Sequence, residues 1–363
     1  MKVLITYVSA GAGHRKVAEA VSDYLKNNRP DLSLKLVDGL LFSNRFFYFC
    51  YNRGYPFLVH SAVWLWGFFF WMTEFSLTRR FVRKISFIVN YFSCQKFVKY
   101  LENENFDFII STHFLNSELA AHLKLKNKIK AKLVTVITDF GVHPFWVSQG
   151  TDKYVAASEV TKDVLLRAGI RETQIMVSGI PLSPNFIITQ NRNRLADKFG
   201  ILADKFTVLI MTGSFGTGPL EEIARNISPD AQVLLVCAKN KFLFDRLRKK
   251  DYQNVKVFGF VDNVQELMAV SDIMITKPGG SSIAELLVMG LVPIFITAIP
   301  GQEENNAKAL AAYGVGFTPR NIKQIKKMVI DLKNDPQKLK SLKNNAMGLA
   351  KPYACQELAD AIR

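Results

Sequence analysis

Val3-Leu4-Ile5-Thr6-Tyr7-Val8 runs into Ser9-Ala10-Gly11-Ala12-Gly13-His14, after which Val17, Ala18, Val21 and Leu25 recur at helical spacing. A short apolar run, a glycine turn and an apolar stripe of period 3.6 read as strand, loop and helix. The order returns in the second half: Val208 to Met211 is apolar, Thr212-Gly213-Ser214-Phe215-Gly216-Thr217-Gly218 is a loop, and Pro219-Leu220-Glu221-Glu222 opens a helix. Phe108–Ser111, Leu133–Thr138, Val233–Cys237, Ile273–Thr276 and Val292–Ile296 are further short apolar runs alternating with helical stretches. That alternation is the pattern of parallel, doubly wound sheets. The expected fold is therefore α/β, two tandem Rossmann-like domains facing a cleft. Gly179-Ile180-Pro181-Leu182-Ser183-Pro184 breaks both periodicities and marks the hinge. The expected domains are 1–180 and 181–345, with a last helix, 346–363, able to return to the first.

Composition narrows the class. The 363 residues are 49% hydrophobic and 21% charged, in the globular range. Forty-seven basic against 31 acidic residues leave a formal charge of +16, which favours anionic partners. Cys50, Cys94, Cys237 and Cys355 lie far apart with no metal-type spacing and read as core thiols of a reducing compartment. The opening residues lack the basic start and long apolar stretch of a secretory signal.

Gly54 to Thr73 carries no Asp, Glu, Lys or Arg, a length that spans a bilayer. A span there would part the first strand and helix from the rest of their sheet, so a transmembrane reading is rejected. The stretch is rich in aromatic rings, among them Trp64, Trp66 and Trp71, and such rings prefer the headgroup level. Between residues 41 and 100, Arg45, Arg53, Arg79, Arg80, Arg83, Lys84, Lys96 and Lys99 face Glu74 alone. A peripheral anchor on an anionic leaflet, at the cytoplasmic face of a membrane, is expected. An aromatic pair packed within the first domain or against a second subunit is the structural alternative. A stacking groove for single-stranded nucleic acid is a weaker one, and no nucleic-acid partner is expected.

Four motifs can carry chemistry. Gly11-Ala12-Gly13-His14 places an imidazole at a helix start, where free N–H groups discourage its protonation; the plain reading is a tight turn with an exposed histidine. Thr138-Asp139-Phe140-Gly141-Val142-His143 delivers a carboxylate and an imidazole at a strand's carboxyl end, although Asp139 can equally cap a turn. Thr276-Lys277-Pro278-Gly279-Gly280-Ser281-Ser282-Ile283-Ala284-Glu285 leaves a strand and enters a helix, a cradle for a diphosphate with Glu285 placed for the two hydroxyls of a ribose. Ser282 with Glu285 also fits a capping box. Pro300-Gly301-Gln302-Glu303-Glu304-Asn305-Asn306 is a polar rim or simply a solvated loop. All five histidines, including His60, His113 and His122, precede residue 144, so imidazole chemistry belongs to the first domain. No P-loop, H-E-x-x-H or D-x-D pattern occurs, which disfavours ATP hydrolysis, zinc chemistry and a carboxylate-held Mg²⁺; no metal or other cofactor is expected.

The order of these motifs, with Tyr154-Val155-Ala156-Ala157-Ser158, Gly179-Ile180-Pro181 and Val257-Phe258-Gly259-Phe260-Val261, resembles the processive diacylglycerol glucosyltransferases and the monogalactosyldiacylglycerol synthases of glycosyltransferase family 28, with the GT-B fold. More distantly it is similar to the N-acetylglucosaminyltransferase of lipid II synthesis. The resemblance implies inverting, metal-independent transfer of a hexose from a UDP-sugar, glucose or galactose, to the 3-hydroxyl of 1,2-diacylglycerol. It implies uracil near Phe260 and Val261, diphosphate near Gly213, Ser214 and Gly279, Gly280, Ser281 and Ser282, ribose on Glu285, and hexose on Gln302, Glu303 and Asn306. His14, behind Gly11 and Gly13, would be the acceptor-side base or a headgroup contact, with Asp139 orienting it or taking the proton. Asp139 and His143 would line the acceptor mouth. The first loop reads A-G-A-G-H where the plant galactolipid enzymes have a G-G-G-H run. Two competing readings keep part of this: a UDP-sugar 2-epimerase of the same fold, and a noncatalytic membrane or nucleic-acid binding module.

Overall fold

The computed structural model describes residues 1–9, 11–54, 58, 62, 64–65, 67, 73, 76–250, 252–296 and 299–362. Trp66 and Trp71 lie outside the described residues, as does most of the uncharged stretch; Trp64 is described and exposed. Among the described residues no helix is long and apolar enough to cross a membrane. The chain divides into two units. One holds Met1–Pro184, Ile299–Asn306 and Lys351–Arg363; the other holds Asn185–Ala298 and Ala307–Ala350. The short segment Ile299–Asn306, left in the second domain by the sequence reading, thus belongs to the first unit.

The first unit is built on a parallel sheet of β1 (Lys2–Tyr7), β2 (Ser33–Asp38), β3 (Phe108–Ser111), β4 (Lys132–Val136), β5 (Lys153–Val155) and β6 (Ile175–Met176). Their order is β2-β1-β3-β4-β5-β6. β3 is buried throughout, as its unbroken apolar run dictates for a strand covered on both faces. β2 escaped sequence reading because it lies at the sheet edge, half exposed, with Lys35 and Asp38 among its residues. The helix Ala12–Asn28 buries Val17, Ala18, Val21 and Leu25 and packs beside the terminal helix Ala354–Asp360, and Arg29 donates to the Ile362 carbonyl at 3.2 Å.

The second unit repeats the plan with β7 (Thr207–Met211), β8 (Gln232–Val236), β9 (Val255–Phe258), β10 (Ile273–Thr276) and β11 (Val292–Phe295), in the order β11-β10-β7-β8-β9, all parallel. Its core joins Val208, Ile210, Val233, Leu235, Ile273, Ile275 and Ile294 from the sheet to Ile223, Ile227 and Val329 from the helices.

Both sheets start at an inner strand and grow first to one side, then to the other. The switch falls between β1 and β3 in the first unit and between β7 and β10 in the second. Loops leaving the carboxyl ends of strands at such a switch diverge and leave a crevice for a ligand. The segments after β1 and β4, and those after β7 and β10, are those the sequence singled out.

Candidate functional site

In the first unit the helix Ala12–Asn28 begins directly after Gly11, so His14 sits in its first turn. Residues that follow β3 and β4 hold its ring. Nδ1 lies 2.7 Å from the Thr112 carbonyl and 3.0 Å from Thr138 Oγ1, while the Thr112 hydroxyl donates to the His14 carbonyl at 2.9 Å. A carbonyl only accepts, so Nδ1 carries the proton and the neutral ring keeps its lone pair on Nε2. Burial lowers the His14 pKa below the ordinary histidine value, against the opposing pull of the Asp139 carboxylate and the Thr112 carbonyl. Nε2 has no hydrogen-bond partner among the described residues, and a neutral imidazole with its basic nitrogen so placed is the form that can take a proton from a hydroxyl.

Asp139 does not bond His14; the ring is oriented by Thr112 and Thr138. Instead, both Asp139 oxygens accept from Gln302 Nε2 at 3.0 Å, and Oδ1 accepts from Asn306 Nδ2 at 3.1 Å. Asn306, fully buried, also accepts the Phe140 and Gly141 N–H groups on Oδ1, at 2.8 and 2.9 Å. One carboxamide therefore fixes the whole turn after β4. The approach is so close that a Cβ on Gly141 would meet Asn305 at 2.6 Å, which explains the glycine. Asp139 thus engages amide N–H groups of Gln302 and Asn306, the residues that the resemblance assigned to the hexose. Glu303, expected beside them, accepts from the Ile299 N–H at 2.7 Å and ties its own helix start.

His143 is likewise engaged. Its Nδ1 accepts from the Phe145 N–H at 3.3 Å, so Nε2 donates to Thr73 Oγ1 at 2.7 Å. Burial and the nearby Arg79 and Arg83 cations push its pKa down to about 4. It serves as a neutral strut between the Pro144–Trp146 turn and Thr73, and its nitrogens do not present a free base.

His113, passed over in the sequence, stands with its ring 4.6 Å from that of His14 at 79°. It was illegible because nothing local distinguishes it: it follows β3 and caps the helix Phe114–Leu125 through Nδ1, which accepts from the Leu115 N–H at 3.1 Å. Thr112 and Thr138, which orient His14, carried no signal beyond their place after a strand.

In the second unit the loop after β7 turns on Gly213, Gly216 and Gly218, all at positive φ. A Cβ on Gly216 would lie 2.1 Å from the Cys237 carbonyl oxygen, so that turn requires glycine. Ser214 accepts the Lys239 N–H at its carbonyl, 3.1 Å away. After β10, Gly279 is the N-cap of the helix Gly280–Val288 and no side chain caps it. Gly280, Ser281 and Ser282 thus occupy the first turn, whose N–H groups have no partner within the helix. The capping-box reading of Ser282 fails on this register, because the helix begins before it. Glu285 is buried at 3% exposure one turn further in. Phe260, just past β9, presents its ring to solvent at 59% exposure, with Val261 half-buried beside it. Such a set can meet an aromatic base, a ribose and a diphosphate.

Residues 14–182 match the family model of monogalactosyldiacylglycerol (MGDG) synthase, and residues 207–358 that of the glycosyltransferase family 28 C-terminal domain. The processive diacylglycerol beta-glucosyltransferase of Bacillus pumilus is 28% identical over 99% of this chain and 94% of its own. That of Bacillus cereus is 30% identical over 72% of this chain and 69% of its own. Among solved structures, HepE of Anabaena in complex with UDP superposes with a TM-score of 0.57 at 18% identity, covering 100% of this chain and 99% of that one. MurG of Acinetobacter baumannii gives 0.59 at 15% identity over 99% of each chain. The UDP-GlcNAc 2-epimerase of Neisseria meningitidis bound to UDP-GlcNAc gives 0.60 at 14% identity, over 100% and 99%. These likenesses establish a GT-B-like α/β fold, which transferases and epimerases share. The sequence matches are narrower than the fold: the chain belongs to glycosyltransferase family 28, in the group of the monogalactosyldiacylglycerol synthases and processive diacylglycerol glucosyltransferases.

Proposed function

We propose that the protein transfers a hexose from a UDP-sugar to the 3-hydroxyl of 1,2-diacylglycerol, with inversion at the anomeric carbon, at a membrane surface. The observation that carries this reading is the neutral His14, whose Nδ1 is spoken for by Thr112 and Thr138 and whose Nε2 has no hydrogen-bond partner among the described residues. In the proposed step Nε2 takes the hydroxyl proton as the oxygen attacks the anomeric carbon, and the bond to the UDP oxygen breaks. The relatives are named beta-glucosyltransferases. A β-product from an α-linked UDP-sugar requires one in-line displacement, which needs a single base and no protein nucleophile.

On the donor side, we assign the departing diphosphate to the first-turn N–H groups of Gly280, Ser281 and Ser282 and to the loop at Gly213 and Ser214. Glu285 is assigned to the ribose and Phe260 with Val261 to the uracil. Backbone dipoles already pointing at the developing charge stabilise it without reorganisation. The reading gives no step to a metal ion, so transfer should persist at full rate in EDTA.

Membrane attachment draws on a feature of the helix Ser76–Ser93. Phe81, Ile85, Ile88, Val89 and Phe92 recur along it at helical spacing and are all exposed, with Arg80 and Lys84 exposed among them. Leu41, Phe46 and Phe49 are exposed nearby in sequence to Asn44, whose N–H donates to the Ser93 carbonyl at 2.8 Å. An apolar stripe flanked by cations suits an anionic leaflet.

The test is mass spectrometry of lipid products in mixed micelles of diacylglycerol and anionic lipid, with isotopically labelled UDP-glucose and unlabelled UDP-galactose offered together, and proton NMR of the product for its anomeric linkage. A hexosyl-diacylglycerol with β-linkage supports the reading and names the sugar. Soluble epimerised UDP-sugar with no lipid product would overturn it.

A further inference from the structure

The proposed step leaves the buried imidazole of His113 without a task. His113 is only 3% exposed, and its neighbours are aromatic: Phe114 stacks on it at 4.3 Å and Trp146 stands 6.5 Å away. Its Nδ1 accepts the Leu115 N–H, so its neutral ring carries the proton on Nε2. Burial and the adjacent His14 keep its pKa well below the ordinary histidine value. That Nε2–H has no hydrogen-bond partner among the described residues.

The two imidazoles therefore present opposite functions side by side. His14 shows a lone pair on Nε2, because its Nδ1–H faces Thr112; His113 shows an N–H on Nε2, because its Nδ1 faces Leu115. A hydroxyl is the small group that satisfies both, donating its proton to one nitrogen while accepting on its oxygen from the other. The two ring centroids stand 4.6 Å apart at 79°, so the imidazoles are in edge-to-face contact. The aromatic neighbours Phe114 and Trp146 suit the apolar flanks of a lipid.

We propose that His113 is a second substrate-contacting histidine, whose Nε2–H binds the acceptor hydroxyl oxygen and turns its proton toward His14. The proposal rests on the acceptor-side reading given under Proposed function. It adds a demand that the acceptor be a free alcohol, since an ether or ester oxygen has no proton for His14, and a deoxy lipid has neither partner. No proton leaves His113 during the step.

Two variants and one spectroscopic readout test it. His113→Asn keeps an acceptor for the Leu115 N–H, Asn being a favoured N-cap, and removes the ring donor; His113→Phe keeps the ring volume and removes the donor as well. Both should bind UDP as the parent does and lose diacylglycerol transfer by about tenfold or more, the loss for one well-placed hydrogen bond in a closed site. Ring-nitrogen NMR of the unmodified protein with labelled histidine supplies a readout independent of turnover. Dihexanoylglycerol should move the His113 Nε2 signal, and the dihexanoate of propanediol, which lacks the hydroxyl, should not. Parental transfer by either variant, or an equal response to both lipids, overturns the proposal. If the parent transfers no hexose but the hydroxyl-selective signal appears, the function reading falls and the hydroxyl site stands.

Discussion

The two crevices at the sheet switch points are built from different materials. In the second unit the site after β7 and β10 is mainly backbone: glycines at positive φ, and N–H groups at the start of the helix Gly280–Val288 that no side chain caps. In the first unit the site is mainly side chains, and most of the roles are set by partners far away in sequence. Thr112 fixes the tautomer of His14, Leu115 that of His113, and Gln302 with Asn306 occupies Asp139. A backbone site recognises charge and shape and tolerates side-chain change. A side-chain site depends on each nitrogen having the right proton, so single substitutions there should have the larger consequences.

The sharpest way to break this comparison is His14→Ala. Turnover should fall by roughly 10²–10⁴, as for a lost general base, while UDP affinity stays within about twofold because the assigned donor residues belong to the other unit. Single-turnover transfer with saturating donor and lipid, beside calorimetric UDP binding, reads both. Parental turnover would move the base elsewhere.

Asp139→Asn should come next. It replaces an oxygen that accepts from Gln302 with a group that donates, setting N–H against N–H. A loss of about 1–3 kcal/mol in stability is expected for the buried clash, and turnover should fall with it. Glu and Gln at position 302 separate the two effects: Gln302→Glu in the Asp139→Asn background restores a donor–acceptor pair and should recover the melting temperature. Failure to recover would mean the carboxylate charge itself, beside His14, is what matters.

Glu285→Ala probes the other crevice. Loss of the assigned ribose contact should weaken UDP binding by about 1–3 kcal/mol with turnover at saturating donor less affected. A lowered melting temperature with unchanged UDP affinity would instead make Glu285 a packing residue.

The mildest test is acidification. A histidine that stays neutral in the folded protein binds fewer protons than in the unfolded chain, so its contribution to stability is complete above the unfolded value of 6.5 and is lost as pH falls through the folded value. For His143 that window runs from 6.5 to about 4. Melting temperature should therefore decline across it, and His143→Gln should flatten the decline. The acid limb of turnover, set by His14, should lie below pH 6.5 as well, since its pKa is lowered.

Particular residues show where reading along the chain succeeds. β3 and β10 were legible to the residue because a strand covered on both faces must be apolar throughout. β2, half exposed at an edge, was not. Glycine loops were legible because only glycine relieves the contact Gly216 makes with Cys237 or accepts its φ. His14 was legible as a base candidate because it lies in the first turn of its helix. The partners of Asp139, Gln302, Asn306 and His143 were not legible: each has one 70 to 167 positions distant, and no local pattern encodes that pairing.

The sequence by itself determined the two α/β units, the glycine turns that open each crevice, and the family, because these depend on local periodicity and on backbone conformations few residues can adopt. The tertiary structure decided which nitrogen of His14 is basic, that His113 stands beside it, that residues 299–306 belong with the first unit, and that Asp139 is held by amides. Proton positions follow from hydrogen-bond partners, and partners are chosen by where the folded chain brings distant segments together.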